Sequence, residues 1–343
     1  MKHILISDPT LRDGSHAIQH KLNVQHLTLY AELAEVSGIP VIEVGHGNGL
    51  GASSLQLGES AISDTQMLET CRNILNKTKL GIHVIPGFAT INKDLKNALD
   101  IGVDVIRVAS HCTEADITKR HIEYCRRRER EVYGVLMMSH TAPASILAEE
   151  ARKMQDYGAQ GIIIMDSAGA YLPDTVKSRI GVLVDTLDIP VGFHAHNNLG
   201  MAIANSIAAL EMGATILDGT MRGFGAGAGN AQLEILVAVL EKMGYETGID
   251  LYKLLDAADT AEASFLKVPY VDSTSVVSGL TGVFSGFAKP VDRIAREYNL
   301  DPKDIFYELG RRKVVAGQED IILEIAVSLS QSSNIGVTPS SRQ

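Results

Sequence analysis

Eight short β-branched runs recur along the chain, and a segment of helical pattern follows each of them. The starts of the runs lie 24 to 39 residues apart, which is the length of one strand–helix unit. Each run is almost continuously apolar, as is typical of parallel strands covered on both faces. The runs occupy residues 3–7, 41–45, 80–85, 105–110, 132–138, 161–166, 191–196 and 215–220.

Glycine ends several of the helical segments between the runs. Gly38, Gly102, Gly158 and Gly213 each follow the last apolar turn of a helical pattern. Glycine is a common helix stop because it adopts positive φ without a Cβ clash. We predict an α/β fold, a (β/α)8 TIM barrel, as the catalytic domain over residues 1–245. A doubly wound sheet is the alternative, but it would carry a phosphate-binding loop after its first strand.

The remainder of the chain has a different pattern. It lacks strand-like runs and shows helical segments near residues 250–262, 290–299, 301–312 and 317–330. We predict a helical C-terminal domain over 246–330. The segment 331–343 is polar and rich in serine, so we expect a disordered tail there.

Charge and cysteine usage exclude several classes of function. The formal net charge is −10, which argues against partners such as nucleic acid or an anionic membrane surface. The chain has 3 cysteines and no C-x-x-C pair, so it indicates neither a disulfide framework nor a structural zinc site. The apolar run near the N-terminus is too short for a signal peptide or a membrane span. We expect a soluble cytoplasmic protein.

His194-Ala195-His196 is the sharpest chemical signal in the sequence. Residues i and i+2 of a strand face the same side, so both imidazoles can bind one cation. By itself such a pair is more often two hydrogen-bonded histidines. A carboxylate nearby favours a metal, because two histidines and one carboxylate leave positions open for substrate. Asp8 and Asp13, after the first run, are both candidates.

Two further side chains and one loop near these positions have alternative interpretations. Arg12 is either one half of a surface ion pair or a cation directed at a developing oxyanion. His16 is either a solvated loop residue or a general base. The glycine-rich segment 223–230 does not match G-x-G-x-x-G. It predicts a tight turn, whose backbone amides could also bind a ligand anion.

Several motifs together resemble one family. They are SDPTLRDGSHAI, EVGHGNG, VASHCTEAD, GVLMMSH, MDSAGA, HAHNNLG, GAGAGN and GQED. The chain resembles the 4-hydroxy-2-oxovalerate aldolases, pyruvate aldolases of the DRE-TIM metallolyase superfamily, from about residue 4 to residue 330. T-L-R-D-G with H-x-H marks the superfamily, and HCTEAD and MMSH are more specific to the aldolase branch.

The resemblance implies a carbon–carbon lyase of the aldehyde-lyase type that depends on a divalent metal. Such an enzyme cleaves a 4-hydroxy-2-oxo acid to pyruvate and an aldehyde such as acetaldehyde, or runs the reverse addition, in aromatic hydrocarbon catabolism. It implies that Asp13, His194 and His196 bind the metal, commonly Mn²⁺, with Mg²⁺, Co²⁺ or Zn²⁺ as alternatives. Arg12 would stabilise the enolate and His16 would be the base. The implied substrate contacts are Arg12, Asp13, Ser167, His194 and Phe284.

Three positions depart from the family pattern. Phe284 stands where the family has tyrosine, so a phenol hydroxyl is missing. Asn197 replaces the third histidine of H-A-H-H-N. His83 lies in a segment that the family keeps apolar apart from a threonine. These differences bear on aldehyde preference and stereocontrol, and they leave the implied metal site and base intact.

The family also implies a partner and leaves rivals open. Members work with an acylating acetaldehyde dehydrogenase in a heterotetramer-like complex, and the helical C-terminal domain would dock it and pass on the aldehyde. The nearest rival function is a Claisen-type synthase that joins an acyl-CoA to a 2-oxo acid. More distant rivals are a metal hydrolase, an iron oxygenase, and a non-catalytic scaffold with a vestigial site.

Overall fold

A closed barrel of eight parallel strands forms the body of the molecule. The computed structural model describes residues 2–315 and 317–334. The strands pair in chain order and β8 closes on β1, which confirms the predicted (β/α)8 TIM barrel. They are β1 (Leu5–Leu11), β2 (Val41–Val44), β3 (Lys79–Val84), β4 (Val105–His111), β5 (Glu131–Met137), β6 (Ile162–Asp166), β7 (Val191–Ala195) and β8 (Ile216–Asp218).

Eight α-helices surround the barrel, and five more follow it within the described residues. Those of the barrel are α1 (Val24–Ser37), α2 (Asp64–Arg72), α3 (Lys96–Ile101), α4 (Lys119–Arg127), α5 (Ala144–Asp156), α6 (Pro173–Thr186), α7 (Ala202–Glu211) and α8 (Leu233–Lys242). The others are α9 (Leu251–Ser264), α10 (Ser273–Thr281), α11 (Ala288–Tyr298), α12 (Pro302–Arg311) and α13 (Asp320–Asn334). The sequence analysis did not predict α10, because this helix is rich in serine and threonine, which are weak helix formers. Its start is stabilised by Asp272, whose side chain accepts a hydrogen bond from Ser275 N.

The helices after the barrel divide between two apolar cores. The buried side chains of α9 join the core of the barrel, and α9 packs on α1 and α8. A second core unites α10, α11, α12 and α13. The domain division at residue 245 stays a prediction, although α9, just beyond it, packs as part of the barrel's outer layer. The end of α10 and the segment between α10 and α11 contact residues that follow the barrel strands, and they take part in the site described below.

The predicted tail begins too early. Helix α13 runs to Asn334, so the first 4 residues of the segment 331–343 continue a helix, and the remainder lies outside the described residues. Serine is tolerated in a helix that apolar side chains anchor, and Ile325 of α13 is fully buried. Every helix in the described ranges is too short or too polar to cross a membrane.

β1 extends four residues beyond the predicted run 3–7, and this extension carries Arg12 and Asp13 to the mouth of the barrel. The strand continues from residue 7 to Leu11, with a shift of register between Asp8 and Leu11. Pro9, which has no N–H to donate, lies at that shift. Asp8 points away from the barrel interior and toward α1. It accepts hydrogen bonds from Thr10 N at 2.9 Å and from Tyr30 Oη at 2.5 Å. Asp8 is therefore not the carboxylate beside the histidine pair.

The Asp8→Asn substitution should change how stability depends on pH. Burial raises the pKa of Asp8 from 3.8 to about 7. The folded protein therefore holds more protons than the unfolded chain between these values, and this group lowers the free energy of unfolding as pH rises through that window. Urea unfolding from about pH 4 to about pH 8 should show the variant gaining stability relative to the parent as pH rises. A difference that stays constant with pH would contradict this.

Candidate metal centre

Two strands bring the predicted metal ligands to the mouth of the barrel. Asp13 follows the carboxyl end of β1, His194 lies in β7, and His196 follows β7 directly. All three side chains are buried, and one ligand atom from each lies within 4.8 Å of the others. β1 and β7 both adjoin β8, which explains how residues about 180 positions apart in the chain meet.

The free atoms of this cluster fit a divalent cation. His194 Nε2 and His196 Nδ1 are buried and have no hydrogen-bond partner. Such nitrogens destabilise a folded protein unless a ligand satisfies them. Burial by itself would raise the pKa of the Asp13 carboxyl, but His196 and Arg12 outweigh it and hold the pKa well below its usual value. Two imidazoles and one carboxylate are a common donor set for first-row divalent metals.

Asp218, at the end of β8, orients one of the two histidines. Its Oδ2 lies 2.7 Å from His194 Nδ1, and both side chains are buried. This contact leaves His194 Nε2 to face the cluster. A carboxylate behind a ligating imidazole sets the ring's orientation and raises its basicity. The sequence analysis missed Asp218; its position at the carboxyl end of the last strand run was the available signal.

A chain of buried charges continues from Asp218 across the barrel interior. Arg107 Nη2 lies 2.7 Å from Asp218 Oδ2, and Arg107 Nη1 forms an ion pair with Glu43. Glu43 Oε2 in turn accepts from Arg12 Nε at 3.0 Å, and Arg12 Nη1 donates to Asp13 Oδ1 at 2.9 Å. The chain thus connects two of the candidate ligands beneath the mouth. It holds the Arg12 guanidinium in place and leaves Arg12 Nη2 buried without a hydrogen-bond partner.

His16 lies beside this cluster on a short helical turn after β1. Its ring packs on Gly47, where an added Cβ would lie 2.5 Å from ring atoms. The His16 ring meets His20 edge-on at 5.0 Å, and His20 stacks on His46 at 3.6 Å. Burial lowers the pKa of His16 below its usual value, and the charge of Asp13 opposes that shift only in part. The imidazole is therefore free to accept a proton at neutral pH.

The other two predicted contacts lie where the C-terminal helices meet the barrel. Ser167 follows β6, and its Oγ accepts from Met138 N at 2.9 Å while its carbonyl accepts from Ser285 N at 2.9 Å. The ring of Phe284, the neighbour of Ser285, meets the His16 ring edge-on at 6.3 Å. The structure therefore places Phe284 above the candidate base. The helical domain therefore contributes a side chain directly to the mouth of the barrel.

Further contacts fasten this domain over the strand ends. His140 Nε2 hydrogen-bonds Gly282 O at 2.8 Å, and Asn198 Nδ2 donates to Ser285 Oγ at 2.8 Å. Both His140 and Asn198 follow barrel strands. The position of Phe284 is thus fixed by polar contacts that cross between the two cores.

The glycine-rich segment 223–230 surrounds Asp13. Asn230 Nδ2 donates to Asp13 Oδ2 at 2.7 Å, and Ala226 N lies 3.4 Å from the same oxygen. A Cβ on Gly225 would lie 2.8 Å from Asp13 Oδ2, so glycine is needed for this approach. The anion that the donors of this loop bind is therefore the Asp13 carboxylate. The glycines of the segment are explained by this contact, and no ligand anion is needed to explain them.

Comparison with known proteins agrees with this geometry. A family model described as HMGL-like matches residues 3–261, and one described as a DmpG-like communication domain matches residues 269–331. A 4-hydroxy-2-oxovalerate aldolase from Spirochaeta aurantia is 62% identical over 332 residues, covering 96% of this chain and 97% of the relative. Another from Pectobacterium atrosepticum is 60% identical over 331 residues, covering 96% of each chain.

Solved structures share the fold at lower identity. The carboxyl transferase domain of pyruvate carboxylase from Rhizobium etli superposes with a TM-score of 0.79 at 16% identity, over 97% of this chain and 61% of the other. That likeness supports the architecture alone. The full-length relatives and the two family models support more: this chain belongs to the 4-hydroxy-2-oxovalerate aldolase family, and it is a carbon–carbon lyase.

Proposed function

We propose that this chain cleaves a 4-hydroxy-2-oxo acid, such as 4-hydroxy-2-oxovalerate, to pyruvate and an aldehyde, or runs the reverse addition, with a divalent metal held by Asp13, His194 and His196. One observation carries the proposal: the two unpaired imidazole nitrogens lie in the same buried cluster as a guanidinium with a free donor. The names of the full-length relatives support the substrate class. Mn²⁺ is the proposed metal because the family resemblance implies it, and Mg²⁺, Co²⁺ and Zn²⁺ are alternatives; the two imidazoles by themselves would bind Co²⁺ and Zn²⁺ more tightly than Mn²⁺.

The metal and Arg12 would divide the stabilisation of charge. A bound divalent cation supplies a Lewis acid that polarises the 2-oxo group. Arg12 Nη1 donates to Asp13, and Arg12 Nη2 is buried without a hydrogen-bond partner, so Nη2 would hydrogen-bond the oxygen that becomes negative as the enolate forms. Its other nitrogens are already bonded to Glu43 and Asp13. The donor is therefore oriented before the reaction begins, which is the condition for effective charge stabilisation.

His16 would move the proton. In cleavage, the 4-hydroxyl proton passes to the His16 imidazole as the C3–C4 bond breaks, which releases the aldehyde and leaves the pyruvate enolate. Protonation of the enolate at C3 then gives pyruvate. Ser167 Oγ already accepts from Met138 N, so its own hydrogen is free to donate to the substrate. Phe284 covers His16 and would keep water from the base.

A metal-reconstituted assay tests this function. Metal-free protein would be loaded with Mn²⁺, Mg²⁺, Co²⁺ or Zn²⁺ and supplied with 4-hydroxy-2-oxo acids of increasing chain length, with pyruvate measured by coupled reduction. We expect pyruvate release that needs metal and is restored by it. Metal-independent release, or pyruvate trapped on a lysine by borohydride, would contradict the proposal. Release of free CoA from an acyl-CoA and a 2-oxo acid would instead favour a Claisen-type synthase.

Substitution of Asp218 should weaken metal binding without removing a ligand. In Asp218→Asn the side chain can still contact His194 Nδ1 but loses the charge that raises the basicity of the ring. We expect the affinity for Mn²⁺ to fall about 10- to 100-fold. Titration calorimetry of metal-free protein measures it. Asp8→Asn, the same change at a buried aspartate outside the barrel interior, is the matched control, and equal affinities in the two variants would contradict the role of Asp218.

The helical domain is our proposed docking surface for an acylating acetaldehyde dehydrogenase in a heterotetramer-like complex. The match of residues 269–331 to a communication domain supports this. Tyr270 and Leu280, which are 76% and 64% exposed, place apolar surface on that domain. Leu280→Glu should abolish co-purification with a co-expressed dehydrogenase, whereas Leu55→Glu, at an exposed leucine of the barrel, should not. Equal recovery in both variants would contradict this surface. The cytoplasmic location stays a prediction.

A further inference from the structure

One buried histidine at the mouth has no role in the chemistry described so far. His83 lies near the carboxyl end of β3 and pairs in register with Arg107, whose side chain crosses the barrel interior. His83 therefore faces the interior as well. The residue is 2% exposed, and its Nδ1 has no hydrogen-bond partner. An unpaired buried nitrogen is costly in the free protein and calls for an explanation, such as a ligand.

The position of His83 in the barrel places it on the side opposite the candidate metal ligands. β3 lies four strands from β7, so it stands across the closed barrel from His194. The 2-oxo acid end of the substrate belongs on the side of β7 and β1, with the candidate ligands. With that end held there, the far end of the substrate would extend across the barrel mouth toward β3.

The loop after β2 links His83 to the candidate base. His16 packs on Gly47 of this loop, and a Cβ on Gly49 would lie 3.3 Å from His83 Cδ2. The same loop is held to β3 by Leu50 N, which donates to His83 O at 2.9 Å. A substrate whose 4-hydroxyl reaches His16 would thus direct the next carbon toward His83.

We infer that His83 determines specificity by hydrogen-bonding a hydroxyl on the carbon next to C4, so that the enzyme favours 4,5-dihydroxy-2-oxo acids over alkyl analogues of equal length. The inference rests on the proposed aldolase function. A neutral imidazole nitrogen donates or accepts according to its tautomer, and a hydroxyl complements either form. Burial and the neighbouring Arg12 hold the pKa of His83 well below its usual value, so the ring is uncharged and has no preference for an anion.

The reaction is the same in both cases. The 4-hydroxyl of 4,5-dihydroxy-2-oxovalerate gives up its proton, C3–C4 breaks, and the products are glycolaldehyde and, after protonation at C3, pyruvate. The 5-hydroxyl takes no part in bond breaking. It affects binding and orientation alone, so it should appear in the ratio of kcat/KM between matched substrates.

The test compares substrates that differ by one atom. The Mn²⁺-loaded enzyme would cleave 4,5-dihydroxy-2-oxovalerate and 4-hydroxy-2-oxohexanoate, whose groups beyond C4 are hydroxymethyl and ethyl. We expect kcat/KM to be at least about tenfold higher for the hydroxymethyl substrate than for the ethyl substrate. The reason is that His83 Nδ1 can hydrogen-bond the hydroxyl, whereas it stays without a partner when the ethyl substrate is bound. Equal values, or a preference for ethyl, would overturn the inference with no variant needed.

Variants assign the effect to the side chain. His83→Leu should remove the preference, and His83→Asn, which keeps a nitrogen near the position of Nδ1, should retain part of it. His121→Leu is the matched control, because His121 is also buried with an unpaired Nδ1 but lies on the outer helix α4. A ratio in His83→Leu equal to that of the parent would overturn the role of His83. Failure of every acid to yield pyruvate would instead refute the proposed function itself.

Discussion

Arg12→Ala is expected to slow pyruvate release by about 10²- to 10³-fold, the usual loss when one oriented donor to a developing oxyanion is removed. The variant loses the free Nη2 donor and the contacts to Asp13 and Glu43. Asn230 still donates to Asp13 and Asp218 still orients His194, so bound Mn²⁺ should persist. Single-turnover pyruvate release and metal content per chain together measure both effects.

Arg12→Lys is the control for this prediction. It keeps the positive charge but replaces the planar fork by a compact ammonium on a flexible stem, whose three donors all lie on one nitrogen and do not reproduce the spacing of Nε, Nη1 and Nη2. We expect activity between those of the parent and Arg12→Ala. Parent-like turnover in Arg12→Ala with metal bound would remove Arg12 from the mechanism. Loss of metal together with activity would show that Arg12 serves the ligand Asp13 instead.

His16→Ala is expected to reduce cleavage by about 10²- to 10⁴-fold, the range for a positioned general base. The substitution also leaves a space the size of an imidazole between Gly47 and Phe284. Added imidazole should enter that space and restore part of the activity in proportion to its concentration. Steady-state kinetics with and without imidazole measure this.

His46→Gln is the matched control for the loss of His16. His46 stacks on His20, and the His20 ring separates it from His16. It also has no ring contact with Phe284. We expect its effect on cleavage to be much smaller than that of His16→Ala. If His16→Ala stays within tenfold of the parent, or if the two variants lose equal activity, His16 is not the base.

Much of the architecture follows from local patterns. The β-branched runs repeat eight times and glycines end several of the helical segments between them; both signals act over a few residues, so the barrel could be predicted. The pair at His194 and His196 could be predicted as a site because a strand repeats every two residues. Asp13 remained one of two possible partners, since the end of β1 depends on Pro9 and the register shift rather than on apolar periodicity.

The sequence alone determined the barrel, the histidine pair and the set of side chains near it. Only the tertiary structure decided how they combine: Asp218 behind His194, and Phe284 from another core above His16, while Asp13 rather than Asp8 lies beside the pair, as the family resemblance implied. The physical reason is the distance along the chain over which each kind of interaction acts. Strand and helix periodicity acts between neighbours in the chain, whereas the buried charges from Asp218 to Asp13 meet only after the barrel closes. There, Asp218, Arg107, Glu43 and Arg12 each meet an opposite charge that comes from a different strand or strand end.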